Sequence, residues 1–125
     1  MAVFFHLDLL VAVHTEVLAQ IDAETGAASV KVYDAGDVLL ATLPLDDPAG
    51  TVTPGTGQLV LSPDAPSTWQ GNGTADYATL CDGAGKALMA LPCSQGSSPV
   101  ADTFVLTTLT AVLNAPVALL SATIG

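Results

Sequence analysis

The stretch Ser29-Val30-Lys31-Val32-Tyr33-Asp34-Ala35-Gly36-Asp37-Val38-Leu39-Leu40-Ala41-Thr42-Leu43-Pro44-Leu45 decides the fold class. Polar and apolar side chains alternate over its first five residues, the period of a strand with one buried face. Residues 38–45 then form a nearly continuous apolar run. Turn chemistry follows each segment: Asp34-Ala35-Gly36-Asp37 after the first, Asp46-Asp47-Pro48-Ala49-Gly50 after the second.

The same grammar continues toward the C-terminus. Residues 58–61 read as a short strand between Gly57 and Pro63, and residues 62–73 as a polar, Pro/Gly-rich loop holding the single tryptophan, Trp69. Residues 74–81 and 87–91 flank Asp82-Gly83-Ala84-Gly85, which is a β-hairpin signal. After a loop at residues 95–99, three strands are expected near 102–106, 109–113 and 117–124, with Asn114-Ala115-Pro116 turning the last pair. Short strands separated by Gly, Pro and Asp turns indicate a sandwich or barrel. The expectation is a mainly β domain: a β-sandwich or jelly-roll-like fold of about seven or eight strands over residues 29–125.

Toward the N-terminus the period changes. Residues 6–21 read as one α-helix, because Leu7, Leu10, Val11, Leu18 and Ile21 recur at spacings of three, four and seven. Gly26 supplies the stop. Phe5, Leu9 and Val13 fall on the other side, among Glu16 and Gln20. One apolar stripe satisfies a core, so the second calls for another partner, and Phe5, Leu9 and Val13 are the candidate interface residues. No internal repeat or linker divides residues 1–125, which read as one domain.

Composition points the same way. Half of the 125 residues are hydrophobic and 11% are charged, against roughly 25% charged in an ordinary soluble domain. Mean hydropathy is +0.58. A small domain leaves most residues near its surface, so few charges imply that part of this surface is covered by protein. The two basic residues, Lys31 and Lys86, stand against twelve carboxylates, for a formal net charge of −10. Phosphate backbones and anionic membranes are bound chiefly through Lys and Arg, so neither nucleic acid nor membrane is an expected partner. The apolar start lacks a basic n-region and carries Asp8, unlike a signal peptide. Its unbroken run over residues 9–13 is far shorter than the roughly 18 residues of a membrane span.

No catalytic set emerges. Nucleophilic catalysis needs a base beside a Ser or Cys, and the two histidines, His6 and His14, lie apart on one helix. His14 falls within the apolar stripe and reads as a core or interface histidine. The Asp34/Asp37 and Asp46/Asp47 pairs lack an EF-hand spacing, and aspartates in turns commonly cap their own backbone. Neither a cofactor nor a metal site is expected. Cys81 and Cys93 are too few for zinc. In the expected hairpin they lie about six residues apart along one ladder, about 20 Å at ~3.3 Å per residue, well beyond the ~7 Å limit for a disulfide. Asn72-Gly73-Thr74 matches the glycosylation pattern, and with no secretory signal expected it reads as a chance match.

Three stretches carry a resemblance. They are Val30-Lys31-Val32-Tyr33-Asp34 with Leu39-Leu40-Ala41-Thr42-Leu43 and Asp47-Pro48-Ala49; Gly73-Thr74-Ala75-Asp76-Tyr77-Ala78-Thr79-Leu80 with Asp82-Gly83; and Ala115-Pro116-Val117-Ala118-Leu119 with Ser121-Ala122-Thr123-Ile124. In this order, behind a helix, they resemble a family of small structural proteins of tailed bacteriophages and prophages, over residues 18–125. Members of that family usually carry arginine in the first helix; this chain has none. The resemblance implies a virion component made in the host cytoplasm, namely a capsid decoration or cement protein on the outer surface of the shell. Its implied partners are the major capsid protein and copies of itself, a homotrimer ahead of a dimer. The alternatives are a tail or head–tail connector subunit and a carbohydrate-binding or adhesin module of a tail fibre, for which Trp69 is the candidate platform.

Overall fold

The computed structural model describes residues 7–23, 28–53, 55–56, 58–64, 66–96, 98, 100 and 102–124. Helix α1 (Leu7–Ile21) is followed by β1 (Ser29–Tyr33), β2 (Leu39–Val52), β3 (Leu59–Pro63), β4 (Ser67–Thr68), β5 (Gly73–Thr74), β6 (Tyr77–Cys81), β7 (Ala87–Gln95), β8 (Thr103–Leu106), β9 (Thr110–Ala111), β10 (Pro116–Val117) and β11 (Leu119–Ile124).

Two aspartate-headed turns of the same wiring set the strand phases. In the turn between β1 and β2, Asp34 Oδ1 accepts the N–H of Gly36 and of Val38 at 2.8 and 3.0 Å. Between β6 and β7, Asp82 Oδ1 accepts the N–H of Ala84 and of Lys86 at 3.0 and 2.9 Å. Each carboxylate thereby holds two backbone donors that the ladder leaves over. The fourth residue of each turn has positive φ: Asp37 at 65° and Gly85 at 86°. Glycine meets that demand without a steric penalty, and aspartate is among the residues that tolerate it.

The main sheet closes on itself in the order β1-β2-β3-β11-β8-β7-β6. Closure is made by β1, which pairs with β2 on one edge and with β6 on the other, from Ser29↔Cys81 to Tyr33↔Tyr77. Two ribbons, β4–β10 and β5–β9, lie outside this ring. The mainly β class with one helix agrees with the sequence reading, but a closed barrel stands where two packed sheets are expected. The reason is pairing: β1 is shared by both hairpins and β11 inserts between β3 and β8, so each barrel strand has a neighbour on either side. Closure removes the edges a sandwich would keep. Val30, Val32, Leu40, Leu45, Leu59, Leu80, Phe104 and Leu106 fill the interior.

Three local expectations are corrected. The Asp46–Gly50 segment is an irregularity inside β2, where the five steps from Leu45 to Gly50 oppose the two from Pro63 to Leu61. Asp22, at the end of α1, stabilises it by accepting the Ala49 N–H at 3.2 and 3.3 Å. The strand expected near 109–113 shrinks to β9, and the last segment divides into β10 and β11. Trp69 lies in a loop between β4 and β5, as its surroundings in the sequence indicate, yet it is 1% exposed. Its backbone N–H donates to Ala115 O, its backbone carbonyl accepts from Asn114 N–H, and the backbone N–H of the next residue, Gln70, donates to Leu40 O at 2.7 Å.

Both cysteines are free, Cys81 buried and Cys93 half-buried. Cys81 pairs with Ala87, and Cys93 donates its N–H to Asp76 O, so the two thiols sit at opposite ends of one ladder. Burial, with a smaller contribution from the Asp76 charge, pushes the Cys93 thiol from 9.0 up to about 12.

Two predictions follow from these packing facts. A Cβ at Gly50 would lie 2.3 Å from Val60 O and 3.0 Å from Leu61 Cα, both backbone atoms, whereas a Cβ at Gly55 meets nothing within 4 Å. Gly50→Ala should therefore lower the unfolding free energy in urea by about 1–3 kcal/mol, while Gly55→Ala leaves it within about 0.5 kcal/mol. Thiol titration should find two reactive groups in the unfolded, non-reduced chain, with Cys93 slow to alkylate in the native protein at pH 8. Because the folded state holds Cys93 protonated, its contribution to stability is complete below pH 9 and disappears as pH rises toward 12. Cys93→Ser should show a shallower alkaline loss in denaturation curves between those limits.

Candidate interaction surface

Helix α1 presents two unlike sides. Ile21 is fully buried and His14 is 7% exposed, while Val17 and Leu18 pack half-buried against the barrel core. These positions are spaced by three and four and form the inward stripe. His14 thus belongs to that stripe, as its spacing predicts. Leu9 and Val13 lie away from it and are 49% and 46% exposed. Of the three candidate interface residues the structure therefore brings two together, one turn apart on the outer side of the helix. Phe5 lies outside the described residues, as do the side chains of Leu7 and Leu10. Glu16 and Gln20 flank this side, the Gln20 amide donating to Glu16 Oε1 at 3.0 Å.

A second apolar group lies at the end of the barrel that carries the turn from β1 to β2. Val38 and Leu39 leave that turn 56% and 37% exposed, and Val112 and Leu113, after β9, are 52% and 51% exposed. The segment at residues 70–73 ties the two pairs together. Gln70 donates to Leu40 O, Asn72 Oδ1 accepts the Leu113 N–H at 2.9 Å, and Gly73 lies against Leu40 and Asp34. The sequence reading missed this group because it placed residues 38–45 and 109–113 wholly within strands. The available signal was the position of Val38 and of Val112-Leu113 beside turn residues, where a strand's inward alternation ends.

Tyr33 and Tyr77 pair across β1 and β6 with ring centroids 5.3 Å apart and planes 14° from parallel. The Tyr77 hydroxyl donates to Asp37 Oδ1 at 2.6 Å. That bond, reinforced by the negative charges of Asp37 and Asp34, pushes the phenol from 10.0 up to about 12. Each ring covers a face of the other, so the pair fastens two strands rather than offering an open platform for a sugar ring. Trp69, the residue singled out for that role, is inside the core.

The carboxylate geometry serves the backbone. Asp34 and Asp82 cap their own turns and Asp22 holds the irregular part of β2. Among the described residues no group of three or more His, Cys, Asp or Glu side chains is placed to hold a metal ion. No described helix is long and apolar enough to cross a membrane. The described surface offers exposed apolar side chains at these two places, and also at Val100 and Leu120.

Comparison with protein-family models, with curated proteins and with solved structures yields no match for this chain.

Proposed function

We propose that this chain is a structural protein of a tailed-bacteriophage particle, a capsid decoration or cement protein that binds between major capsid subunits and stabilises the expanded shell. The observation that supports the reading best is the outward pair Leu9 and Val13, half-exposed on a helix whose opposite stripe already packs on the barrel. In a chain with 11% charged residues, exposed aliphatic pairs of this kind suit protein contacts. The closed barrel suits the same task, since it keeps its shape without exposing a full-length strand edge to neighbours. The sequence resemblance supplies the particle, and the homotrimer with it.

The mechanism is mass action. A subunit that binds the expanded shell and not its precursor stabilises the expanded state by RT ln(1 + [L]/Kd), about 2.7 kcal/mol per site at a hundredfold excess over Kd. No bond is made or broken, and the subunit needs only rigidity and complementary surface. An acidic outer subunit also stays clear of packaged DNA.

The test contrasts the two sides of α1. Leu9→Asp should give a folded, soluble subunit, with an unchanged circular dichroism spectrum, that elutes as a monomer and no longer binds particles. Ile21→Asp puts a charge into the core and should unfold the domain, a loss of several kcal/mol. Purified particles should contain the protein on the outside of the head, at a copy number matching the shell lattice. A Leu9→Asp protein that still self-associates and decorates normally would remove the helix face from the reading. A low copy number confined to the tail would favour the connector alternative.

A further inference from the structure

The barrel is closed, but one seam in it is short. On one edge of β7, residues 87–92 pair with β6; on the other, residues 93–95 alone pair with β8. Residues 87–91 therefore have no strand partner on the β8 side among the described residues. The cause is local. β7 and β8 run parallel and are joined by residues 96–102, whereas a full parallel crossover takes roughly a dozen residues or more. So short a return brings β8 alongside β7 over three residues only.

The chemistry of this edge can be read from its hydrogen bonds. Cys93 donates its N–H to Asp76 O on the β6 side. Successive peptide groups of a strand face opposite edges, so residue 92 faces the seam, where its being proline leaves no donor unpaired. Two residues earlier, Ala90 presents both its N–H and its C=O to the seam, and its side chain is exposed. Beside this edge lies a half-open cavity of about 220 Å³ lined by Val17 and Gln20 of α1 and by Leu88 and Met89 of β7 itself. A cavity of about 150 Å³ already holds a benzene ring, so this one accepts a single leucine, methionine or phenylalanine side chain. Gln20 at its wall donates its amide to Glu16 Oε1, so a carboxylate stands one helical turn from the cavity.

We propose that the open edge of β7 on its β8 side, next to the cavity it shares with α1, is a docking site for an extended segment of another protein. The segment adds a short strand along residues 88–91, places one apolar side chain in the cavity and carries Lys or Arg beside it. Unpaired peptide groups next to a side-chain pocket are what recognition by strand addition uses. The charge of the occupant follows from Glu16 and from a net charge of −10. A second copy of this chain does not fit that description. Of its two basic residues, Lys31 lies in β1, paired on both edges, and Lys86 lies in the turn held by Asp82. This site adjoins the Leu9 and Val13 side of α1, because Gln20 borders both, but it does not depend on the virion reading.

The test uses the full chain and the peptide acetyl-Lys-Thr-Val-Phe-Val-Thr-Lys-amide, with a Glu-flanked peptide of the same centre as control. The lysine peptide should bind in fluorescence anisotropy, weaken with added salt and exceed the control by about tenfold or more. Hydrogen exchange should show the Ala90 amide protected when the lysine peptide is bound. Ala90→Pro, which removes the donor on the open edge, should weaken binding by about tenfold. Should that variant fail to fold, exchange at Ala90 in the wild-type chain decides alone. No binding at about millimolar peptide, equal binding of both peptides, or an Ala90 amide indifferent to the peptide would overturn the proposal. Protection of Ala90 that grows with protein concentration in the absence of peptide would assign the seam to a second copy and overturn it too.

Discussion

The pairing of β1 with β6 is the contact on which the remaining structure depends. Five residue pairs, Ser29↔Cys81 to Tyr33↔Tyr77, join the first strand of one hairpin to the first strand of the other. Without them β1 and β6 would become free edges of a curled sheet, with a row of unpaired N–H and C=O groups on each. With them, Val30, Val32, Ala78 and Leu80 face one interior, and Tyr33 stacks on Tyr77 outside it. The two aspartate-headed turns make this register possible. A one-residue slip in either hairpin would turn its apolar set to solvent, and the doubly engaged carboxylates of Asp34 and Asp82 oppose such a slip at its origin.

Much of this was legible in the sequence, for identifiable reasons. Strand β1 has the bounds that its alternation predicts, and the hairpin at residues 82–86 turns where Asp82-Gly83-Ala84-Gly85 indicates. Both signals are local, so local reasoning reaches them. The misreadings share the opposite property. Asp46-Asp47-Pro48-Ala49-Gly50 carries turn chemistry, but β3 and the Asp22 carboxylate, both distant in sequence, keep it within β2. Trp69 sits among polar and Pro/Gly residues, yet Ala115 and Asn114 fix its backbone and the core takes up its ring. Closure of the sheet is also invisible locally, because a strand with one partner and a strand with two have the same alternation.

The candidate surfaces divide along the same line. The exposed helix side was legible because its apolar positions fall off the stripe that packs on the barrel, and Leu9 and Val13 are exposed opposite Leu18 and Ile21. The group of Val38, Leu39, Val112 and Leu113 was not, because its members come from two turns that only the folded barrel brings to one end. Apolar exposure at both places accounts physically for a composition so poor in charge. Most of the exposed large aliphatic side chains fall in these two groups, with Val100 and Leu120 exposed outside them.

The position of β11 also governs when the chain can fold. Residues 119–124 insert between β3, which the ribosome delivers much earlier, and β8, which it delivers shortly before them. Until they emerge, the sheet has a gap that nothing upstream can fill, and β3 and β8 each retain an open edge. The hairpins of residues 29–52 and 77–95 can form during elongation, since their contacts are local. Ring closure must await the final strand. A nascent chain stalled short of residue 119 is therefore held as an open, aggregation-prone sheet, and synthesis rate up to that point sets how long it stays exposed.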